Sequence, residues 1–142
     1  MKLPFQFLLL VFVIIGCVSS PQPMKFVCVL PAEEFHNRAK DTLAHYRFSV
    51  LSASYDSIVT IKRVDDGMSD RTIHLTLQHD SLNGEATMFV RTLIRFQGTE
   101  TEVFFDEKPR LTNDFRSDFR PVLNALRTIC APPPKKKKKK VQ

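Results

Sequence analysis

Three cysteines, four histidines and a knot of carboxylates are the side chains with chemistry to offer in this 142-residue chain. Cys28 and Cys130 stand near the two ends of the stretch that reads as folded, and in an oxidising compartment they are natural disulfide partners. Closing a loop of roughly 100 residues is worth roughly 4 to 5 kcal/mol in the chain-entropy model. Two buried free thiols are the alternative, since nothing local marks either cysteine as an activated nucleophile. His36, His45, His74 and His79 are scattered, and the last two share an alternating run in which five residues of separation point them to opposite faces. They read as solvated surface histidines and not as metal ligands. Asp65, Asp66 and Asp70 surround Gly67, which reads as a polar hairpin turn ahead of a Ca²⁺ site. Asp106 and Glu107 beside Lys108-Pro109-Arg110 read as loop. No His-Glu-x-x-His, Cys-x-x-Cys, Gly-x-Ser-x-Gly or EF-hand pattern occurs. The four glycines are too far apart for a phosphate loop. No catalytic set, metal or cofactor is therefore expected, and the chain is read as a binding protein, not an enzyme.

The third cysteine belongs to a different kind of segment. Met1-Lys2 precedes an apolar run from Leu3 to Ile15, too short for a bilayer span and laid out like a secretory signal peptide. The residues that follow, Ile14-Ile15-Gly16-Cys17-Val18-Ser19-Ser20, resemble a bacterial lipobox, in which the thiol after a small residue is acylated. Gly16 and Cys17 match that pattern and Ile14 is an acceptable aliphatic, while Ile15 is bulkier than the pattern prefers. The resemblance implies a lipoprotein anchored at Cys17. The alternative is ordinary signal peptidase cleavage and a freely secreted protein. Residues 1–16 are thus expected to be a signal peptide and 17–23 a tether stiffened by Pro21 and Pro23. Residues 24–130 would be one domain and 131–142 a tail.

Charge is divided just as unevenly. The formal charge is +6, but Lys135, Lys136, Lys137, Lys138, Lys139 and Lys140 are consecutive. With those six and Lys2 set aside from the 21 basic residues, 14 remain against 15 acidic ones. A near-neutral domain is not a nucleic-acid binder, and nucleic acid is not an expected partner. The lysine run behind Pro132-Pro133-Pro134 is read as a solvated arm able to touch an anionic membrane surface or another acidic partner.

The elements between are those of an α+β domain. Met24 to Leu30 reads as a first strand. Glu33 and Glu34 open an amphipathic helix whose apolar side is Phe35, Ala39, Leu43 and Tyr46. Strand-like runs follow over 48–54, 57–64, 71–79, 85–97 and 101–105, separated by turns that include Asn83-Gly84. In the first, Phe48, Val50 and Ser52 are expected on one side; in 85–97, Ala86, Met88, Val90, Ile94 and Phe96 are. A last helical stripe runs from about Thr112 to Cys130, with Pro121 either kinking it or following a cap at Asp118. The order β-α-β-β-β-β-β-α predicts an antiparallel meander of five to six strands backed by two helices. In element order this resembles small periplasmic lipoproteins built as helix-backed sheets, and also the cystatin-like group. The cystatin Gln-x-Val-x-Gly loop is absent, so protease inhibition has no residue behind it.

One strand face stands out. Phe89, Arg91, Leu93 and Arg95 alternate on the side of 85–97 opposite the expected core. If both helices cover the other side, this face stays partly open to a lipid, a peptide strand or a partner protein. The expectation is an exported binding or scaffold protein, lipid-anchored at Cys17, with this face and the lysine arm as contact surfaces. The alternative is a freely secreted ligand-binding or inhibitor-like domain of cystatin-like shape.

Overall fold

The structure, a computed structural model, describes residues 23–105 and 113–132. Its elements follow the expected order: β1 (Met24–Val27), α1 (Ala32–His45), β2 (Ser49–Ala53), β3 (Ser57–Asp65), β4 (Asp70–Asp80), β5 (Glu85–Phe96), β6 (Thr99–Phe105), a 3₁₀ turn (Asn113–Asp118) and α2 (Arg120–Cys130). All strands pair antiparallel in one six-stranded sheet of order β1-β5-β4-β3-β2. The free edge of β5 is shared, with β1 against Glu85 to Met88 and β6 against Val90 to Phe96.

Alternation in β4 explains the layering. Arg71, Ile73, Leu75, Leu77 and His79 turn inward and are buried, while the residues between them turn outward. Both helices lie on that inward side. Phe35, Ala39 and Leu43 of α1 and Val122, Leu123 and Leu126 of α2 close the core over Ile58, Met88, Val90 and Phe105. Thr60 is fully buried among them because its hydroxyl donates to the Leu75 carbonyl at 3.0 Å. Cys28, just past β1, is bonded to Cys130 at the end of α2, so the disulfide joins the first strand to the last helix. Both cysteines are fully buried.

Three local features depart from the sequence reading. All five residues of β2 are exposed, because a bulge between Val50 and Ser52 breaks the alternation and the strand lies at the sheet edge. Phe96 is 50% exposed, since it extends past the helices that cover the rest of its face. The last helical stripe is broken rather than kinked. Its 3₁₀ part ends at Asp118, Phe119 takes the N-cap position and Pro121 sits in the first turn of α2. Asp118 does not cap the helix; its carboxylate is taken by Arg71.

Two turns place a residue other than glycine in left-handed backbone. Gln97 and Gly98, at φ 48° and 81°, form the two-residue hairpin between β5 and β6. Arg47, at φ 65°, follows the C-cap Tyr46 of α1. The Arg47 N–H donates to Ala44 O at 2.9 Å and the Phe48 N–H to Leu43 O at 2.9 Å. This is a Schellman closure, with Phe48 and Leu43 both buried as its apolar contact. Glycine is the usual occupant of the Arg47 position, and a side chain there costs about 1 kcal/mol.

Candidate binding face

With both helices on one side, the opposite side of β3, β4, β5 and β6 has no covering element among the described residues. The register builds it row by row. Phe104 lies beside Arg91, Arg91 beside His74, and His74 beside Ile61. In the next row Phe89 lies beside Thr76, and Thr76 beside Val59. Phe89 and Phe104 are thus diagonal neighbours across β5 and β6, within reach of one another's rings. They are 39% and 49% exposed, against 2% for Phe105, which faces the helices.

Charged pairs frame these rings. Arg91 Nη1 meets Glu102 Oε1 at 3.1 Å, Arg95 Nη2 meets Glu100 Oε2 at 3.1 Å, and Lys25 Nζ meets Glu85 Oε1 at 2.9 Å. Exposed pairs of this kind add little stability, so their effect is to give the rim both signs of charge. Half-buried Leu93 lies between Thr72 and Glu102. Beyond it a hollow of about 210 Å³ is lined by Arg63, Asp70, Thr72, Leu93, Arg95 and Glu100. Partial burial and the neighbouring Arg91 cation lower the pKa of His74, against a weaker opposing effect of Glu102. Its imidazole is therefore neutral at physiological pH, and the centre of the face carries no charge from it.

Phe89, Arg91, Leu93 and Arg95 are therefore brought together on the outward face. Sequence reasoning missed Val59, Ile61, His74 and Phe104, which complete it. The adjacent Phe104-Phe105 pair is the signal for the last of these, since one of two consecutive strand residues must face outward.

The other chemistry-bearing residues are scattered or spoken for. His79 is not a solvated histidine. It is 7% exposed and stacked on Phe35 with ring centroids 4.3 Å apart, and neither ring nitrogen has a hydrogen-bond partner. Arg71, at the other end of the same inward stripe, is also buried. Its Nε donates to Asp118 Oδ2 at 2.8 Å, its Nη1 donates to Asp66 and to Ser69 Oγ, and the guanidinium lies over the Phe115 ring at 5.2 Å. Asp66 accepts in addition from the Met68 and Ser69 N–H groups, as the turn reading implies, and the bond from Arg71 chiefly holds its carboxyl well below the usual carboxylate range. Among the described residues no group of three or more His, Cys, Asp or Glu side chains is placed to hold a metal, and no helix is long and apolar enough to cross a membrane. Cys17, Lys135 to Lys140 and the 106–110 loop lie outside the described residues.

Comparison with protein-family models, curated proteins and solved structures finds no match for this chain. The likeness in element order to periplasmic lipoproteins and cystatins therefore brings no residue-level role with it.

Proposed function

We propose that this chain is an exported, non-catalytic binding module that docks a partner protein on the uncovered face of its sheet. The observation carrying this reading is the pair of outward phenylalanines, Phe89 and Phe104, on neighbouring strands of a sheet whose other side holds the core and both helices. A patch of aromatic and branched side chains, crossed by Arg91–Glu102 and flanked by Arg95–Glu100 and Lys25–Glu85, has the mixed apolar and charged anatomy of a protein interface. A lipid-facing surface would be apolar throughout or rimmed by cations alone, and this rim has both signs. The buried Cys28–Cys130 bond supports export, because such bonds persist in oxidising compartments.

In this reading Cys17 carries the lipid and residues 17–23 tether the domain to the membrane, while Lys135 to Lys140 contact anionic head groups. Free secretion would leave the docking face unchanged and remove the anchor. The separating experiment is the intact mass of protein purified from its own host. A mature chain beginning at Cys17 with added acyl mass is expected; an unmodified chain beginning between Cys17 and Met24 would refute the anchor. For the face itself, Phe89→Ser with Phe104→Ser is expected to abolish partner capture and leave the fold intact. Retained capture by that variant would refute the docking surface.

A further inference from the structure

At the far end of the molecule from the N-terminus of α1, a cavity of about 520 Å³ opens between the C-terminal cap of α1, the last residues of β3 and the turn before α2. It is lined by His45, Arg47, Lys62, Arg63, Asp65 and Asp118, with half-buried Tyr46 against it. Its volume is that of a small-ligand site. Three cations reach it from two elements, and only two carboxylates oppose them. One of these, Asp118, is already neutralised by Arg71. The other, Asp65, accepts the Gly67 N–H. Arg47 and Arg63 have no ion-pair partner among the described residues, whereas Lys62 lies 5.2 Å from the Phe48 ring centre and 3.5 Å from the Asp118 carbonyl oxygen. The strand edge beside them is open as well, because β2 pairs with β3 only as far as Ile61. Beyond that point no strand among the described residues pairs with this edge of β3, beside the cavity.

Arg47 gives the cavity its meaning. The left-handed cap position it occupies is the one where glycine would close α1 most stably, and here the position instead puts a guanidinium on the wall of a polar cavity. We propose that this cavity is an oxyanion site that receives a phosphate group through Arg47, Lys62 and Arg63, with Arg47 supplying the planar two-bond contact. The phosphate belongs to a small soluble ligand or to a phospholipid head group, and the site adjoins the docking face at Arg63, which also lines the hollow beside Leu93.

The test is titration of inorganic phosphate into the isotope-labelled full-length chain at fixed ionic strength, followed by amide resonances. Saturable shifts are expected at Arg47, Lys62 and Arg63. In R47G they should require about tenfold more phosphate, the loss of one charge-assisted contact. R47G should melt at the same temperature or higher, which separates lost binding from lost fold. R47K is expected to bind more weakly than wild type, because an ammonium cannot make the planar two-bond contact, and Lys62→Met provides a second loss variant that keeps an unbranched apolar stem beside Phe48. Vesicles of anionic phospholipid that displace phosphate from these amides would identify a head group as the source. Vesicles that bind and leave these shifts in place would identify a soluble phosphate. Shifts confined to the lysine tail, shifts that never saturate, or shifts unchanged in R47G would overturn the site.

Discussion

Removing the disulfide, as Cys28→Ala with Cys130→Ala, should be among the most damaging changes this domain can suffer. The bond joins residues 102 apart in sequence, so it closes nearly the whole folded stretch into one loop. For a loop of that length the chain-entropy model gives about 4.7 kcal/mol at room temperature. Both sulfur atoms are also fully buried, so alanine leaves a small void that adds to the loss. Domains of this size are stable by about 5–15 kcal/mol, so the variant would stand close to the unfolding threshold. The assay is urea unfolding of the oxidised wild type, the reduced wild type and the double alanine variant. With slopes of about 1–3 kcal/mol/M, the midpoint should fall by about 2 M or more in the reduced protein and in the variant. The slope itself should rise, because the uncrosslinked unfolded chain exposes more surface. A midpoint shift below about 0.5 M, or no gain of two hydrogens in mass on reduction, would refute the reasoning.

The Arg71 cluster makes the second prediction. Arg71→Met and Asp118→Ala should each cost about 2–4 kcal/mol, because each strands a largely buried charge. The double variant should cost less than their sum by about 1 kcal/mol or more in denaturant unfolding, and strict additivity would refute the pairing. Asp66 gives a pH dependence. Its carboxyl is held below the ordinary range in the folded state, so its contribution is present above the unfolded carboxylate pKa of about 3.9 and is lost as pH falls through the folded value. Asp66→Asn should therefore flatten the acid limb of stability against pH, and an unchanged limb would contradict it. Because both ring nitrogens of His79 are buried without partners, His79→Leu should leave stability unchanged or raise it by up to about 1 kcal/mol in urea unfolding. A loss larger than about 1 kcal/mol would mean that the ring makes a polar contact worth keeping.

Long alternating runs carried most of the fold in plain sight. In β4 and β5 the period of two is uninterrupted, so the core face and the outward face could both be read, and with them Phe89, Arg91, Leu93 and Arg95. The α1 stripe was equally clear, and the even cysteine pair pointed to the bond now seen between Cys28 and Cys130. What failed to show depended on partners distant in sequence. Arg71 and His79 continue the inward period of Ile73, Leu75 and Leu77, but polar side chains hid that continuity until Asp118 and Phe35 were seen packed on them. Asp118 looked like a helix cap because capping is the local use of that residue, and a residue 47 positions away took it instead. The end of α1 was obscured by the arginine standing where a cap glycine would announce it. The bulge in β2 had only a faint mark, the adjacent apolar pair Val50-Leu51 that breaks the alternation of Ser-Val-Leu-Ser-Ala where the register shifts.

Site-directed photo-crosslinking in the protein's own host tests the uncovered sheet face directly. A photoreactive phenylalanine analogue at Phe89 or Phe104 should give a discrete covalent adduct with a partner protein. The same analogue at Asp41, exposed on the outer side of α1, should give none. Adducts absent at Phe89 and Phe104, or equally abundant at Asp41, would contradict the claim that this face is where the protein binds.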